Sequence, residues 1–247
     1  MMLNYNAKTF TAPKKGNAEN ENEDAFILTY PNEESIIRIA VSDGATESSF
    51  SKEWAELLVR YYAIYNFENE TFFQSLHPSL RNQWLDKVNT QDLPWYAQEK
   101  LEMGAFATIL GASISTISGE CNISAIGDSN IYIYRDEKMI LKFPIEKASD
   151  FGSSPFLLSS VLERNKRADK FFFSEELYKL HNGDLVVIGT DAIGQWILLQ
   201  EENNISTYQE LLSLYSGKFD FNNWLNEQRI ENKIKNDDTT LVFLKFE

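Results

Sequence analysis

Five short stretches, spread along the whole chain, set an aspartate beside a small or hydroxyl residue at the end of an apolar run. They are Asn22-Glu23-Asp24-Ala25, Ser42-Asp43-Gly44-Ala45, Gly127-Asp128-Ser129, Gly189-Thr190-Asp191-Ala192 and Asn236-Asp237-Asp238-Thr239-Thr240. An apolar run of strand length carries the chain into an interior, and the turn at its end presents a carboxylate. Several such ends converging make an all-oxygen pocket, the donor set that hard divalent cations prefer. A pair of such ions can activate a water and clamp a phosphoryl group for in-line displacement. A single acidic turn is most simply an Asp capping its own backbone; it is the ordered set that points to metal. Other chemistries lack their residues: there is no Gly-rich nucleotide loop, no Ser-His-Asp set and no Cys/His zinc spacing.

The elements that would position these turns can be read from periodicity. Strand-like runs cover residues 25–30 and 36–42, joined by the polar turn Pro31-Asn32-Glu33-Glu34, which reads as a hairpin. Residues 106–117, 121–126, 130–135 and 138–143 follow as an expected antiparallel meander, and 185–190 and 240–246 complete the set. Helical spacing appears at 51–65, with Ser51 as an expected N-cap, at 70–85 and 95–103, and again at 193–200, 208–215 and 221–234. Trp54, Tyr61, Tyr62, Trp84, Trp95, Trp196 and Trp224 recur on helix faces and read as core. Residues 150–155 and 163–170 read as loops. Hairpin-linked strands with helices in blocks predict an α+β layer fold with antiparallel sheets. The 247 residues, 43% hydrophobic, suffice for one domain over 1–247 with a sizeable core.

Composition narrows the partners. A net charge of -14 argues against nucleic acid, which requires a basic footprint. No apolar run approaches membrane-spanning length and no signal peptide is visible, so the expected location is the cytoplasm, without a membrane partner. Cys121 is the only cysteine and, in an alternating run, reads as a small buried residue; His77 and His181 read as surface residues.

The ordered set, together with Gly104-Ala105-Phe106-Ala107-Thr108, resembles the metal-dependent protein Ser/Thr phosphatases of the protein phosphatase 2C type, from about residue 16 to the C-terminus. The Asp43-Gly44-Ala45-Thr46-Glu47-Ser48-Ser49 segment is most similar to the bacterial-type branch. The resemblance implies an antiparallel β-sandwich flanked by helices on both faces, a four-layer α-β-β-α arrangement. It implies two Mn²⁺ or Mg²⁺ ions, with a weaker third, contacted by Asp43 (bridging), the Gly44 carbonyl, Asp191, Asp237 and Asp24 or Glu23, with Asp128 at the third ion. It casts Asp43 and Asp191 as the catalytic pair. It also implies hydrolysis of phosphoserine or phosphothreonine on a protein substrate by a water bridging the ions, and allows a cognate Ser/Thr kinase as partner.

Three departures stand out. Relatives often carry a phosphate-gripping Arg shortly before the Glu-Asp turn, whereas here residues 16–23 hold none and Lys14 and Lys15 lie just upstream. Ala192 replaces the usual Gly after Asp191, and Gln195 replaces an acidic residue. These changes keep open an alternative, a catalytically weak or inactive phosphatase-like regulatory binding module. An acidic interaction domain whose turns only look metal-like is a more distant reading.

Overall fold

The computed structural model describes residues 2–31, 33–65, 77–88, 101–152 and 154–247. Its strands are β1 (Tyr5–Ala12), β2 (Ala25–Leu28), β3 (Ile36–Ser42), β4 (Phe106–Ala107), β5 (Ile109–Ser115), β6 (Glu120–Ile126), β7 (Asn130–Arg135), β8 (Lys138–Phe143), β9 (Leu158–Ser159), β10 (Phe173–Lys179), β11 (Leu185–Gly189) and β12 (Thr239–Phe246). Its longer helices are α1 (Ser51–Tyr65), α2 (His77–Lys87), α3 (Asp191–Glu202), α4 (Tyr208–Ser216) and α5 (Phe221–Ile230). Two antiparallel sheets form, in the orders β1-β12-β11-β7-β8 and β10-β6-β5-β3-β2, with β4-β9 as a small extra pair.

Strand alternation decides what each sheet face meets. Ile37, Ile39 and Val41 of β3 point between the sheets, where they join Val186 and Ile188 of β11 and Val242 and Leu244 of β12 in one buried cluster. The intervening residues face outward. Ala40 lies under Trp54, Leu58 and Tyr62 of α1. Leu185, Val187 and Phe243 lie under Ile193, Trp196 and Ile197 of α3 and Leu211 of α4. Strands covered on both faces need apolar side chains on both, which is why 185–188 reads as an unbroken Leu-Val-Val-Ile run. The product is the helix–sheet–sheet–helix layering that the family resemblance implies.

The hairpin β2–β3 forms, with Ala25 opposite Ser42. The expected meander does not. β5 pairs with β6 in one sheet and β7 with β8 in the other, and β6 and β7 are not neighbours. The chain changes sheet at Gly127-Asp128-Ser129, where Gly127 takes φ +101 and a Cβ would meet Thr108 Cγ2 at 2.6 Å. The expected strand over 106–117 breaks at Thr108, whose side chain binds the neighbouring turns.

Ser51 opens α1 but does not cap it. Its hydroxyl donates to Glu23 Oε1 at 2.5 Å, and the preceding Phe50 has φ 61. The Phe50 carbonyl accepts from Trp84 Nε1 at 3.1 Å, fixing α2 against the start of α1. Helix α2 covers the C-terminal part of the expected 70–85 helix; residues 66–76 and 89–100, with Trp95 and most of the expected 95–103 helix, lie outside the described residues. The other six aromatic residues read as core are buried, as is Cys121. His181 is exposed. The segment expected as a loop at 163–170 carries 3-10 turns at Leu162–Asn165 and Ala168–Phe171. Sequence reading missed the edge strands β1 and β10, whose mixed composition hides the alternation.

Candidate metal centre

Register brings the five acidic turns to one end of the sandwich. In one sheet Ala25 pairs with Ser42, Val41 with Leu110 and Ile109 with Ile126, so Asp24, Asp43 and the Asp128 turn share a rim. In the other sheet Asn130 pairs with Gly189, Gly189 with Leu241 and Ala12 with Thr239, which brings Asp191, Asp237 and Lys14 to the corresponding rim.

Hydroxyl groups join the two rims. Thr190 Oγ1 donates to Asp24 Oδ2 at 3.0 Å and accepts from the Thr240 N–H at 3.0 Å. Thr108 Oγ1 accepts from the Asp43 N–H at 2.9 Å and lies 2.9 Å from Ser129 Oγ. Gly44 bridges to Ala107, and a Cβ there would lie 2.8 Å from the Glu23 carbonyl oxygen, so the position requires glycine.

The electrostatics is that of carboxylates held together against their repulsion. Burial pushes the Asp43 carboxyl well above its usual range, and Asp24, Asp191, Asp128 and Asp237 push it the same way. Burial likewise raises Asp24 strongly, opposed by hydrogen bonds from Thr240 and Thr190 and reinforced by Asp238 and Asp191. Asp128 is pushed to about 7, by burial first and Asp191 second, with Lys235 opposing. Burial raises Asp191 while Lys235 pulls it down. Each shift favours the neutral acid where no cation is present.

Lysines supply the compensating charge. Lys235 Nζ pairs with Asp191 Oδ2 and lies 3.2 Å from Asp237 Oδ2. Lys14 Nζ donates to Thr46 Oγ1 at 2.9 Å and stands 4.0 Å from Asp237 Oδ1. Among the described residues no group of three or more His, Cys, Asp or Glu side chains is placed so that it could hold a metal ion. The donor set nonetheless fits a hard cation. It is all oxygen, and Asp24 Oδ1 and Asp191 Oδ1 are buried without a hydrogen-bond partner, the condition a metal relieves.

The residues singled out in sequence separate into groups. Asp24, Asp43, Asp128, Asp191 and Asp237 lie within one another's electrostatic reach. One oxygen of the Glu23 carboxylate accepts from Ser51, whereas Asp24 has a buried oxygen without a partner. Ala192 costs nothing conformationally, because Asp191 begins α3 and Ala192 lies within it. Asp191 also gains from the positive end of the helix dipole. Gln195 Nε2 reaches the Ala148 carbonyl at 3.5 Å.

Sequence reading missed three supporting residues. Asp238 is buried and accepts from the Lys14 N–H and the Glu23 N–H, each at 2.8 Å. Arg229, in the last turn of α5, donates to the carbonyls of Pro13 at 3.0 Å and Asp237 at 2.5 Å. Lys235 sits two residues before Asp237 and carries no local signal beyond its charge. Only the tertiary fold reveals these roles.

A four-layer sandwich with acidic turns gathered at one end has the architecture of the protein phosphatase fold. The sequence matches the protein phosphatase 2C family over residues 15–228, and the chain belongs to that family. Comparison with curated proteins gives no significant match. Solved structures of similar fold include the S. agalactiae serine/threonine phosphatase, at 12% identity over 99% of this chain and 100% of that one, with a TM-score of 0.54. The Mycobacterium tuberculosis serine/threonine phosphatase PstP/Ppp aligns at 14% identity over 99% of each chain, TM-score 0.53. The PstP catalytic domain in complex with two manganese ions aligns at 14% identity over 99% of this chain and 98% of that one, TM-score 0.52. No helix among the described residues is long and apolar enough to cross a membrane.

Proposed function

We propose that the chain is a metal-dependent phosphatase acting on phosphoserine or phosphothreonine in proteins. The observation that carries this reading is the gathering of Asp24, Asp43, Asp191 and Asp237 at one end of a protein phosphatase 2C fold, with buried oxygens on Asp24 and Asp191 left unpartnered. Asp43, the Gly44 carbonyl, Asp24, Asp191 and Asp237 would hold two Mn²⁺ or Mg²⁺ ions, and Asp128 with Asp191 a weaker third. Two such ions, when bound, supply an acidified water and neutralise charge on a transferring phosphoryl group.

The chain's own residues prepare that site. Thr190 and Thr108 hold the carboxylate turns at fixed spacing across the two sheets. Asp238 anchors the Lys14 and Glu23 backbones beside them. Lys14 is the side-chain cation at the rim suited to meet a substrate phosphate, in place of the Arg that relatives carry. A lysine offers a point charge rather than a two-pronged contact, so substrate binding through it is weaker and less directional. Lys15 is exposed, and its backbone exchanges hydrogen bonds with the Asn236 side chain.

The test is phosphate release from a phosphothreonine peptide with and without Mn²⁺. Activity that needs the ion and disappears in Asp43→Asn supports the reading. Metal binding without turnover would favour the regulatory binding module. The cytoplasm remains the proposed location, and a phosphoprotein the proposed partner.

A further inference from the structure

Lys235 has no part in the chemistry above, yet its ammonium lies in the acidic cluster. It pairs with Asp191 and stands 3.2 Å from Asp237, two carboxylates on turns separated by 46 positions of sequence (191 to 237). The placement is built by the fold. Ile234, immediately before it, is buried in the core beneath the helices, and Asn236, immediately after, is held by the Lys15 backbone. The backbone on both sides is therefore anchored, and the side chain of Lys235 projects from a fixed base.

The contact is also incomplete. Lys235 engages one oxygen of each carboxylate and leaves Asp191 Oδ1 buried without a partner. Lys235 faces Asp191 and Asp237, with Lys14 4.0 Å from the other Asp237 oxygen and with Asp24, Asp43 and Asp128 close behind. Burial lowers the proton affinity of the ammonium, but Asp191 and Asp237 outweigh that effect and keep it charged.

We propose that Lys235 is an internal counter-cation that occupies Asp191 and Asp237 in the metal-free chain and must be displaced when a divalent ion binds there. The inference rests on the metal-centre reading and assigns this lysine a role in setting metal affinity. It follows from mutual exclusion: a carboxylate oxygen held by an ammonium is not available to a cation, and like charges do not share a site. A metal ion brings twice the charge and accepts several oxygens at once, so it wins at sufficient concentration. Until then the closed lysine lowers apparent affinity by the fraction of molecules in which the site is open. The lysine is 41% exposed and Asp237 36%, so solvent screens part of the pair and the effect is modest, about fivefold.

Two substitutions with opposite signs test this. Lys235→Met keeps an unbranched apolar stem and removes the charge. Lys235→Arg keeps the charge and adds a planar fork suited to carboxylates. The measurement is calorimetric titration of MnCl₂ into the chelator-stripped full chain, paired with thermal melts in EDTA to confirm folding. Lys235→Met should bind Mn²⁺ about fivefold more tightly than wild type and melt at a lower temperature in EDTA, because its carboxylates have lost their counter-charge. Lys235→Arg should bind Mn²⁺ no more tightly than wild type. Equal or weaker binding by Lys235→Met, or tighter binding by Lys235→Arg, overturns the role of Lys235 while Mn²⁺ binding by the wild type leaves the metal centre standing. A wild-type chain that takes up no Mn²⁺ at millimolar concentration overturns both.

Discussion

Thr190 and Asp24 lie 166 positions apart in the chain and meet across the end of the sandwich, the threonine hydroxyl donating to the aspartate at 3.0 Å. The contact joins the acidic turn before β2 in one sheet to the turn after β11 in the other. The same hydroxyl accepts from the Thr240 N–H at the start of β12, so one oxygen ties three turns together. Thr190→Val keeps the shape and removes both bonds. Leaving the buried Thr240 N–H without a partner and Asp24 with one hydrogen bond fewer costs roughly 1–3 kcal/mol. We expect the melting temperature to fall by roughly 2–10 °C for a domain of this size. We also expect Mn²⁺ to bind more weakly, because Asp24 is no longer oriented. Calorimetric melts with and without Mn²⁺ check both effects, and a Thr190→Ser variant should recover most of each.

Asp43 faces four other carboxylates, and burial and all four push its carboxyl toward the neutral form. Asp43→Asn supplies a group of the same size that is neutral without taking up a proton. The metal-free variant should therefore melt higher than metal-free wild type, while losing turnover and most of the stabilisation that Mn²⁺ gives. For wild type that stabilisation follows the binding isotherm, about 2.7 kcal/mol at one hundred times the dissociation constant. Melts in EDTA and in millimolar Mn²⁺, run on both proteins, give the comparison. A variant destabilised in EDTA would mean that Asp43 is held by structural bonds rather than set against its neighbours.

Raised carboxyl pKa values give the metal-free chain a definite pH dependence. Asp128 ionises near 7 when folded and near the ordinary aspartate value of about 3.9 when unfolded. Between those limits the folded state binds more protons than the unfolded state. Stability then decreases as pH rises, from about 4 to about 7, and the loss is complete above the folded value. Asp24, Asp43 and Asp191 act in the same direction. With Mn²⁺ present the trend should flatten or reverse, since protons and metal compete for the same oxygens. Urea unfolding across this range in EDTA and in Mn²⁺ tests the sign. Metal-free stability that rises from pH 4 to 7 would contradict it.

Lys14 and Lys15 are adjacent in sequence but unlike in place. The Lys14 ammonium stands at the rim between Thr46 and Asp237, whereas Lys15 is anchored through its backbone to Asn236. Lys14→Ala should raise KM for a phosphopeptide roughly fivefold with a smaller change in kcat, the scale of one partly exposed charge contact. Lys15→Ala should leave both within about twofold. Steady-state kinetics on the two single variants separates them, and equal effects would remove Lys14 from substrate binding.

Much of this architecture was legible in the sequence because the interior leaves a period. Ile36–Ser42 and Asn130–Arg135 are mainly apolar runs of strand length, and Ser51–Tyr65 carries its aromatic residues at helical spacing. The acidic turns were legible because each ends such a run. What was not legible depends on contacts between distant segments. The sheet change at Gly127 leaves no mark in the pattern of β6 and β7, since both are apolar and either could follow the other as a hairpin. Ser51 looks like a cap until Glu23, 28 positions away, is seen to take its hydroxyl. Asp238 stands beside Asp237 in the same acidic turn, and nothing in the sequence shows that it holds the Lys14 and Glu23 backbones. Lys235 and Arg229 carry no signal in the sequence beyond their charge, and only the fold brings them to the acidic end.

Whether the acidic end of the sandwich is a divalent-metal phosphatase centre is decided by one rate. That rate is inorganic phosphate release from a phosphothreonine peptide as Mn²⁺ is titrated into chelator-stripped protein, with Asp43→Asn and Asp191→Asn run in parallel. We predict turnover that is absent in EDTA, rises and saturates with Mn²⁺, and is lost in both folded variants. Turnover that persists in EDTA, or that either variant retains near the wild-type rate at saturating Mn²⁺, would contradict a metal centre built on these carboxylates.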